Sequence, residues 1–260
     1  LGDVYKRQNG DIIVPKEGEL AYLANTGDIG RQHSLEKPFS DPQCGLNLAS
    51  IGYVMSLLPP APARILDLGC GGGWTSIFLA KHGYRVTGQD IAPDMIDLAR
   101  ENAARHGLDD RLDFVCGDFE QIGDQGQFDA AIFFDSLHHA EDEALAIRAA
   151  WAALKPGGLL ITHEPGEGHA THPDSIEAMR LYGVTERDMP PHLIIARGKE
   201  AGFTRSRVLP LPEYLHQLFY EDNRYLRQRL SQRYWRRVGR ILRLIFRPDL
   251  RRGAIVVLTK

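Results

Sequence analysis

The residues best suited to bind a ligand form a glycine cluster in the first half of the chain. Gly69, Gly71 and Gly73 alternate with other residues after Asp67, between a predicted strand and a predicted helix. Glycine lets the backbone turn sharply and approach a ligand without a Cβ in the way. The helix that follows directs free N–H groups at the loop. These features predict a ligand site at the carboxyl end of a first parallel strand.

The spacing of the glycines separates two classes of cofactor. A dinucleotide fingerprint needs G-x-G-x-x-G. Read from Gly69, its third glycine falls on Trp74, and read from Gly71 it falls on Ser76. The carboxylate of Asp67 would repel a pyrophosphate, whereas it suits a ligand that carries an ammonium group. The loop therefore disfavours a nicotinamide dinucleotide.

The pattern that fits is Asp67-x-Gly69-x-Gly71-x-Gly73, and it resembles that of class I S-adenosylmethionine-dependent methyltransferases. Later stretches extend the resemblance in order and spacing over residues 65–164. They are Asp90 at the end of a second strand, residues 116–119 (CGDF) after a third, 133–139 (FFDSLHH) after a fourth and 154–160 (LKPGGLL) before a fifth. The resemblance implies S-adenosylmethionine as the cofactor.

The resemblance also implies roles for single residues. Asp90 would accept hydrogen bonds from both ribose hydroxyls, with Ile91 beside it. Asp118 would face the adenine amino group, and Phe119 would lie beside the ring. The full set of cofactor-binding residues predicted in this way is Asp67, Gly69, Gly71, Gly73, Asp90, Ile91, Asp118, Phe119 and Asp135.

Two histidines after the predicted fourth strand, His138 and His139, are candidate general bases. Methyl transfer from a sulfonium is an in-line displacement, so the protein mainly orients and desolvates the acceptor. A hydroxyl acceptor must also lose its proton, and a neutral histidine is a good base near pH 7. The alternative is that both histidines pack and hydrogen-bond the loop, whatever the substrate. We expect a small or medium-sized acceptor, with O-methylation favoured over N- or C-methylation.

Other polar residues are weaker candidates. His163, Glu164, His169 and His172 are of types that bind metals, but their spacing matches no metal motif and glycines make this stretch a loop. We therefore predict no metal site, and either a place in the substrate pocket or a role in stabilising the loop. His33 and the neighbouring Arg31 lie in a polar leader, and the resemblance implies that this leader folds over the site as a lid; the alternative is that both are ordinary loop residues.

Hydrophobic periodicity predicts the elements that position these residues. The predicted strands are 64–68, 84–90, 112–116, 128–134, 159–163, 204–209 and 254–259, and the predicted helices are 42–58, 74–82, 93–106, 141–154, 174–182 and 190–201. Strands that alternate with helices, and that are apolar throughout, indicate a parallel sheet covered on both faces. Together with the resemblance, which implies a methyltransferase sheet, this predicts an α/β fold with a doubly wound, seven-stranded, Rossmann-like methyltransferase sheet.

The same reading divides the chain into segments. Residues 1–8 resemble a translated linker and are left out of the fold prediction. Residues 9–63 form an N-terminal cap, residues 64–210 and 254–260 form the cofactor-binding core, and residues 211–253 form an arginine-rich helical insertion between the last two strands.

The insertion carries an unusual charge. Residues 224–252 contain eleven arginines and a single acidic residue, Asp249, within a chain whose net charge is −3. Apolar residues recur there at steps of three and four, which predicts an amphipathic helix. Such a helix can pack on its own domain or contact an anionic membrane surface. A nucleic-acid partner is disfavoured because the remainder of the chain is strongly acidic. For the methyl acceptor, a small molecule, a glycan and a lipid-linked compound all remain possible partners.

Composition bounds the location and the function class. The chain has 260 residues, 43% hydrophobic and 25% charged, as in ordinary soluble proteins. Cys44, Cys70 and Cys116 are too few and too scattered for a disulfide framework. We expect a cytoplasmic protein, with peripheral contact at the inner membrane face left open. Two rival functions stay open, a cofactor-binding or membrane-associated partner protein without turnover, and a nicotinamide-dependent dehydrogenase.

Overall fold

The computed structural model describes residues 6–8, 11–13, 16–108, 110–123, 126–219 and 232–260. Seven strands in this part of the chain form one sheet, and we label them β1 to β7. They are Arg64–Leu68, Arg85–Asp90, Leu112–Cys116, Phe128–Phe134, Leu154–Glu164, Arg205–Pro210 and Ala254–Thr259. The sheet order is β3-β2-β1-β4-β5-β7-β6, with β7 antiparallel to both of its neighbours. This topology confirms the predicted doubly wound, seven-stranded fold.

The helices are labelled α1 to α10 in chain order. They are Glu17–Leu20, Tyr22–Glu36, Cys44–Leu57, Trp74–His82, Pro93–Arg105, Glu143–Ala153, Pro173–Tyr182, Pro191–Ala201, Pro212–Phe219 and Gln232–Phe246. A 3₁₀ turn, Leu137–His139, follows β4. A short antiparallel pairing joins Lys6–Gln8 to Asp11–Ile13. No helix in the described ranges is long and apolar enough to cross a membrane.

Helices cover both faces of the sheet. Ile65 of β1 packs in a cluster with Ile51 of α3, whereas the next residue, Leu66, packs on the opposite face with Ile147 of α6 and Ile194 of α8. Successive side chains of a strand point to opposite faces. A strand buried on both sides therefore carries apolar side chains toward both faces, as Ile65 and Leu66 of β1 and residues 130–133 of β4 do.

Most predicted boundaries lie within two residues of the observed ones, and local chemistry explains the differences. Helix α6 begins at Glu143 because the Asp142 carboxylate caps it, accepting from the backbone N–H groups of Ala144 and Leu145 at 2.9 and 3.0 Å. The turn predicted before β5 is instead continuous with that strand, with a register shift opposite Phe128 and Ala130.

The N-terminal segment is helical and packs against the edge of the sheet domain. Leu23 and Leu35 of α2 form a small buried cluster with Met95 and Leu98 of α5. The sequence predicts a cap here but not helices α1 and α2, because α2 has only a weak apolar face and bends at Gly27.

The insertion contains α9 and α10. The predicted amphipathic pattern at residues 224–231 lies outside the described residues. In α10 no described side chain is buried, and its apolar residues Trp235, Leu242 and Phe246 are exposed. The helix thus lies on the surface of the domain.

Asp67, at the end of β1, joins the glycine loop to the helix behind it. Its buried Oδ2 accepts hydrogen bonds from the hydroxyls of Thr75 and Ser76, both at 2.6 Å. Burial raises the pKa of this carboxyl to about 6, although the two hydroxyls oppose the shift. The ordinary value in an unfolded chain is about 3.9. Ionisation of Asp67 therefore costs the folded state stability, and the cost develops as the pH rises from about 4 to about 6.

We predict that Asp67→Asn reduces this pH dependence. The amide oxygen can still accept both hydroxyls, and the buried charge is removed. The natural protein should lose about 2–3 kcal/mol of unfolding free energy between pH 4 and pH 7 that the variant does not lose. The stability of the variant relative to the natural protein should therefore rise by this amount over the same pH range. Urea unfolding followed by circular dichroism at several pH values measures it. Asp97→Asn is a matched control because its side chain is 78% exposed. A relative stability of Asp67→Asn that does not change with pH would contradict the prediction.

Candidate active site

A cavity of about 430 Å³ opens at the carboxyl ends of β1, β2 and β4. Its walls come from the glycine loop, the ends of these strands, the N-terminal helices and the segment before α8. The predicted site residues in its lining are Gly69, Gly71, Asp90, Ile91, Phe119, Asp135 and His139. Asp67, Gly73, Asp118 and His138 do not line it. The structure thus brings together most of the predicted residues and places four of them behind or beside the wall.

The glycine loop is held in a strained path that suits glycine. Gly69 has a φ of +73°, and a Cβ there would lie 2.5 Å from the Cβ of Ser136. Gly71 has a φ of +51°, but a Cβ on it would meet no atom within 4 Å among the described residues. Gly71 therefore borders open space in the cavity, and a ligand can approach its backbone closely.

Asp90 fastens this loop to the end of β2. Its Oδ2 accepts from the N–H of Gly71 at 2.8 Å, and its Oδ1 accepts from the N–H of Ala92 at 3.0 Å. Burial raises the pKa of Asp90 despite these hydrogen bonds. Each carboxylate oxygen keeps a further lone pair. Asp90 can therefore accept hydrogen bonds from ligand hydroxyls while it holds the loop.

Two predicted cofactor residues make other contacts. A Cβ on Gly73 would lie 3.1 Å from both Ala99 and Phe114, so this glycine allows α4 to pack closely. Asp118 forms an ion pair with Lys16, whose Nζ is also 2.9 Å from Oε1 of Glu120. The role of Asp118 toward an adenine ring stays a prediction.

His138 is fixed behind the cavity wall by Glu164, at the end of β5. One oxygen of this buried carboxylate accepts from the backbone N–H groups of Ser136 and Leu137, at 3.1 and 2.7 Å. The other accepts from Nδ1 of His138 at 2.7 Å. Burial alone would lower the pKa of His138, but the hydrogen bond and charge of Glu164 raise it above its ordinary value. Glu164 thereby fixes the turn that carries both histidines.

His139 lies in the cavity wall and is held by a different partner. Its Nδ1 lies 2.6 Å from the carbonyl oxygen of Thr185. Because a carbonyl can only accept, Nδ1 carries the proton, and the lone pair of the neutral ring is on Nε2. Burial, followed by the nearby His138, lowers the pKa of His139 below its ordinary value. His139 is therefore neutral at pH 7, and its Nε2 can accept a proton.

Asp135 connects the cavity to His163. Its φ of +50° is unusual for a residue other than glycine and marks local strain. Nδ1 of His163 donates to Oδ1 of Asp135 at 3.0 Å, and Nε2 of His163 lies 3.0 Å from Oγ of Ser50. Burial opposes ionisation of Asp135, but His163 lowers its pKa overall. Asp135 is therefore an anchored carboxylate in the cavity wall.

The two remaining histidines of the stretch after β5, His169 and His172, lie in different places. His169 donates to Oε2 of Glu186 at 2.7 Å, and the same oxygen lies 3.7 Å from Nε2 of His138. His138, His169 and Glu186 offer atoms within 4.8 Å of one another, a spacing compatible with a metal ion. A direct hydrogen bond already pairs two of these atoms, so we treat the group as a hydrogen-bonded network. His172 lies apart, at the start of α7.

The N-terminal segment supplies cavity residues that the sequence does not predict. Glu19 lines the cavity, and its Oε2 is buried with no hydrogen-bond partner among the described residues. Its Oε1 accepts from the N–H of Thr185 at 2.6 Å. Of the weaker candidates, His33 lines the cavity, and Arg31 pairs with Glu101. No local sequence signal marks Glu19, because its place depends on a contact 166 residues away.

Comparison with known proteins agrees with this geometry. Residues 65–158 match the family model described as "Methyltransferase domain". Over 121 residues the chain is 38% identical to the ubiquinone biosynthesis O-methyltransferase of Xanthomonas axonopodis pv. citri strain 306. That alignment covers 46% of this chain and 50% of the relative, so the chain spans about half the length of the curated relatives it matches.

Solved structures show the same fold at low identity. One is phosphoethanolamine N-methyltransferase 2 of Haemonchus contortus in complex with S-adenosyl-L-methionine, with a TM-score of 0.64 and 22% identity over 94% of this chain and 58% of that one. Another is an S-adenosylmethionine-dependent methyltransferase of Mesorhizobium loti, with a TM-score of 0.58 and 20% identity. The match covers 83% of this chain and 100% of the Mesorhizobium chain. Residues 65–158 therefore form a methyltransferase domain, and the chain has the fold of these S-adenosylmethionine-dependent methyltransferases.

Proposed function

We propose that this protein transfers a methyl group from S-adenosylmethionine to a hydroxyl group of a small or medium-sized acceptor. The methyltransferase-domain match and the curated relatives named as O-methyltransferases support this proposal. The observation that carries it is the position of His139, which lies in the wall of the cavity that the glycine loop also lines and is held through Nδ1 by the carbonyl of Thr185.

The cavity has the size of a small-molecule site. Its volume of about 430 Å³ lies within the range of roughly 300–1,000 Å³ usual for small-molecule sites. The glycine loop would hold the cofactor through its backbone, Asp90 would accept its ribose hydroxyls, and Phe119 would lie against its base. When bound, S-adenosylmethionine supplies an electrophilic methyl group on a sulfonium sulfur. The protein then has to bind, orient and deprotonate the acceptor.

His139 is suited to the deprotonation. A hydroxyl proton would pass to Nε2 of the neutral ring as the oxygen becomes nucleophilic. The resulting imidazolium would keep its hydrogen bond to the carbonyl of Thr185, and Glu186 and Glu19 stabilise its charge. After reaction the proton returns to solvent, and the base is regenerated.

The acceptor side of the cavity favours a hydroxylated molecule. Oε2 of Glu19 is a buried acceptor without a partner in the described structure, and a buried carboxylate oxygen in that state costs free energy. A hydroxyl of the acceptor would satisfy it. Tyr22 and Tyr182 also line the cavity, with their rings edge to face at 5.6 Å, and offer an aromatic surface. Glycan-linked or lipid-linked hydroxyl compounds remain within this proposal.

We predict that His139→Ala lowers turnover by about 10²–10⁴-fold, as expected for loss of a general base. Binding of S-adenosylhomocysteine should change little. The rate of the natural protein should fall as the pH drops below about 6.5, because protonation of His139 removes the base. Transfer of labelled methyl groups to a panel of phenolic and sugar hydroxyl compounds measures both effects.

His172→Ala is the matched control for this prediction, because its side chain is 59% exposed and lies outside the cavity lining. It should keep the natural rate. A near-normal rate for His139→Ala would show that this histidine packs the loop instead of serving as the base. Cofactor binding without transfer to any acceptor would favour a binding protein, and preferential binding of NAD would contradict the cofactor assignment.

A second prediction separates two glycines. Gly71→Ala would place a Cβ in the open cavity, and we expect binding of S-adenosylhomocysteine to weaken at least tenfold. Gly73→Ala would crowd Ala99 and Phe114, so we expect it mainly to lower stability, by about 2–4 kcal/mol from strain and overpacking. Calorimetry and urea unfolding measure these quantities.

The control for both variants is Gly107→Ala, since Gly107 has a φ of +63° with open space around it and lies outside the cavity. It reports the cost of backbone strain alone, about 1–2 kcal/mol. Equal effects of Gly71→Ala and Gly107→Ala on ligand binding would argue against a ligand at the loop.

A further inference from the structure

A second pocket lies between α9, α10 and the ends of β6 and β7. It has a volume of about 220 Å³. Pro210 of β6 pairs with Ala254 of β7, and Ala254 pairs with Glu164 at the carboxyl end of β5. The pocket is therefore at the same edge of the sheet as the candidate active site, but on the far side of β5. It shares no lining residue with the active-site cavity.

The lining of this pocket is strongly positive. Its charged residues are Arg240, Arg243, Arg247, Arg252 and Asp249. Asp249 partly compensates Arg252, with 3.4 Å between its Oδ2 and Nε of the arginine. The other three guanidinium groups are brought together with no second carboxylate in the described lining. Like charges that line one pocket repel one another, and a bound anion would reduce this repulsion.

The remaining polar groups are also donors. Tyr214 supplies a phenol and Gln217 a side-chain amide, and the guanidinium of Arg252 lies 5.9 Å from the centre of the Tyr214 ring. Guanidinium groups bind phosphate through paired N–H donors, with better geometry than an ammonium allows. The volume is below the roughly 300 Å³ at which small-molecule sites usually begin. The pocket therefore suits a single charged group better than a whole small molecule.

Helix α10, which supplies Arg240 and Arg243 and is followed directly by Arg247, also exposes an apolar stripe. Trp235, Leu242 and Phe246 are 60%, 48% and 76% exposed, and their spacing places them along one side of α10. The arginines at 240, 243 and 247 follow a neighbouring stripe. Exposed apolar residues beside arginines are typical of helices that lie at a phospholipid surface.

We propose that this arginine pocket binds a phosphate group, as a phosphomonoester or diphosphate, and that the exposed stripe favours a phosphate carried by an amphiphile. Two sources share this chemistry, a phospholipid headgroup and a soluble phosphate ester. The pocket is separate from the active-site cavity, so its test does not depend on turnover or on cofactor binding.

The experiment uses the full chain, two probes and a matched pair of variants. Calorimetry with inorganic pyrophosphate tests the soluble ligand. Co-sedimentation with phosphatidylcholine vesicles, with and without phosphatidic acid, tests the headgroup. The double variant Arg243→Gln, Arg247→Gln removes two charges from the pocket. The control Arg236→Gln, Arg251→Gln removes two charges from exposed residues that neither line the pocket nor belong to the apolar stripe.

We expect pyrophosphate binding to weaken at least tenfold in the pocket variant and to be unchanged in the control. Phosphatidic acid vesicles that sediment the natural chain, but not the pocket variant, would assign the source to a lipid headgroup. Pyrophosphate binding without vesicle binding would assign it to a soluble ester. The proposal is overturned if neither probe binds, or if the pocket variant binds each probe as well as the natural chain does. Unchanged circular dichroism spectra of both variants establish that the fold is intact.

Discussion

The buried carboxylate of Glu164 is the interaction on which the candidate active site depends. It lies at the end of β5, yet it accepts from two backbone N–H groups of the turn after β4 and from the ring of His138. A buried carboxylate is stable only when its oxygens are satisfied in this way. The turn is thereby fixed relative to the sheet, and the next residue, His139, is presented in the cavity wall.

The partners that hold His139 come from segments outside the parallel strands. The carbonyl of Thr185 determines which nitrogen of His139 carries the proton, and Glu19 accepts from the N–H of the same Thr185. Arg187 holds the segment in place, since its Nη1 lies 2.9 Å from Oε2 of the buried Glu143 and 2.9 Å from the carbonyl oxygen of Glu141. Three distant parts of the chain therefore set the protonation state of one imidazole. The sheet supplies the cofactor side of the cavity, and the N-terminal helices and this segment supply the acceptor side.

The sheet and the cofactor loop could be predicted from the sequence because their signals are local. Predominantly apolar stretches mark β1 and β4, and the acid–glycine spacing marks the loop between β1 and α4. The distinct roles of His138 and His139 could not be predicted, because adjacent residues in one motif receive different partners from different elements. The role of Asp67 could not be predicted either. The motif indicates that it contacts a ligand, whereas its buried side chain accepts hydrogen bonds from the hydroxyls of Thr75 and Ser76. Long-range contacts, which leave no local pattern, decide these cases.

The assignment of His139 as a neutral base can be tested by nuclear magnetic resonance of the protein labelled with ¹⁵N-histidine. Two-bond ¹H–¹⁵N correlations report which ring nitrogen is protonated, and a pH titration gives the pKa of the ring. We expect the proton of His139 on Nδ1, an unprotonated Nε2 at pH 7 and a pKa below 6.5. A ring protonated on Nε2, or one that is fully charged at pH 7, would contradict the mechanism proposed for this site.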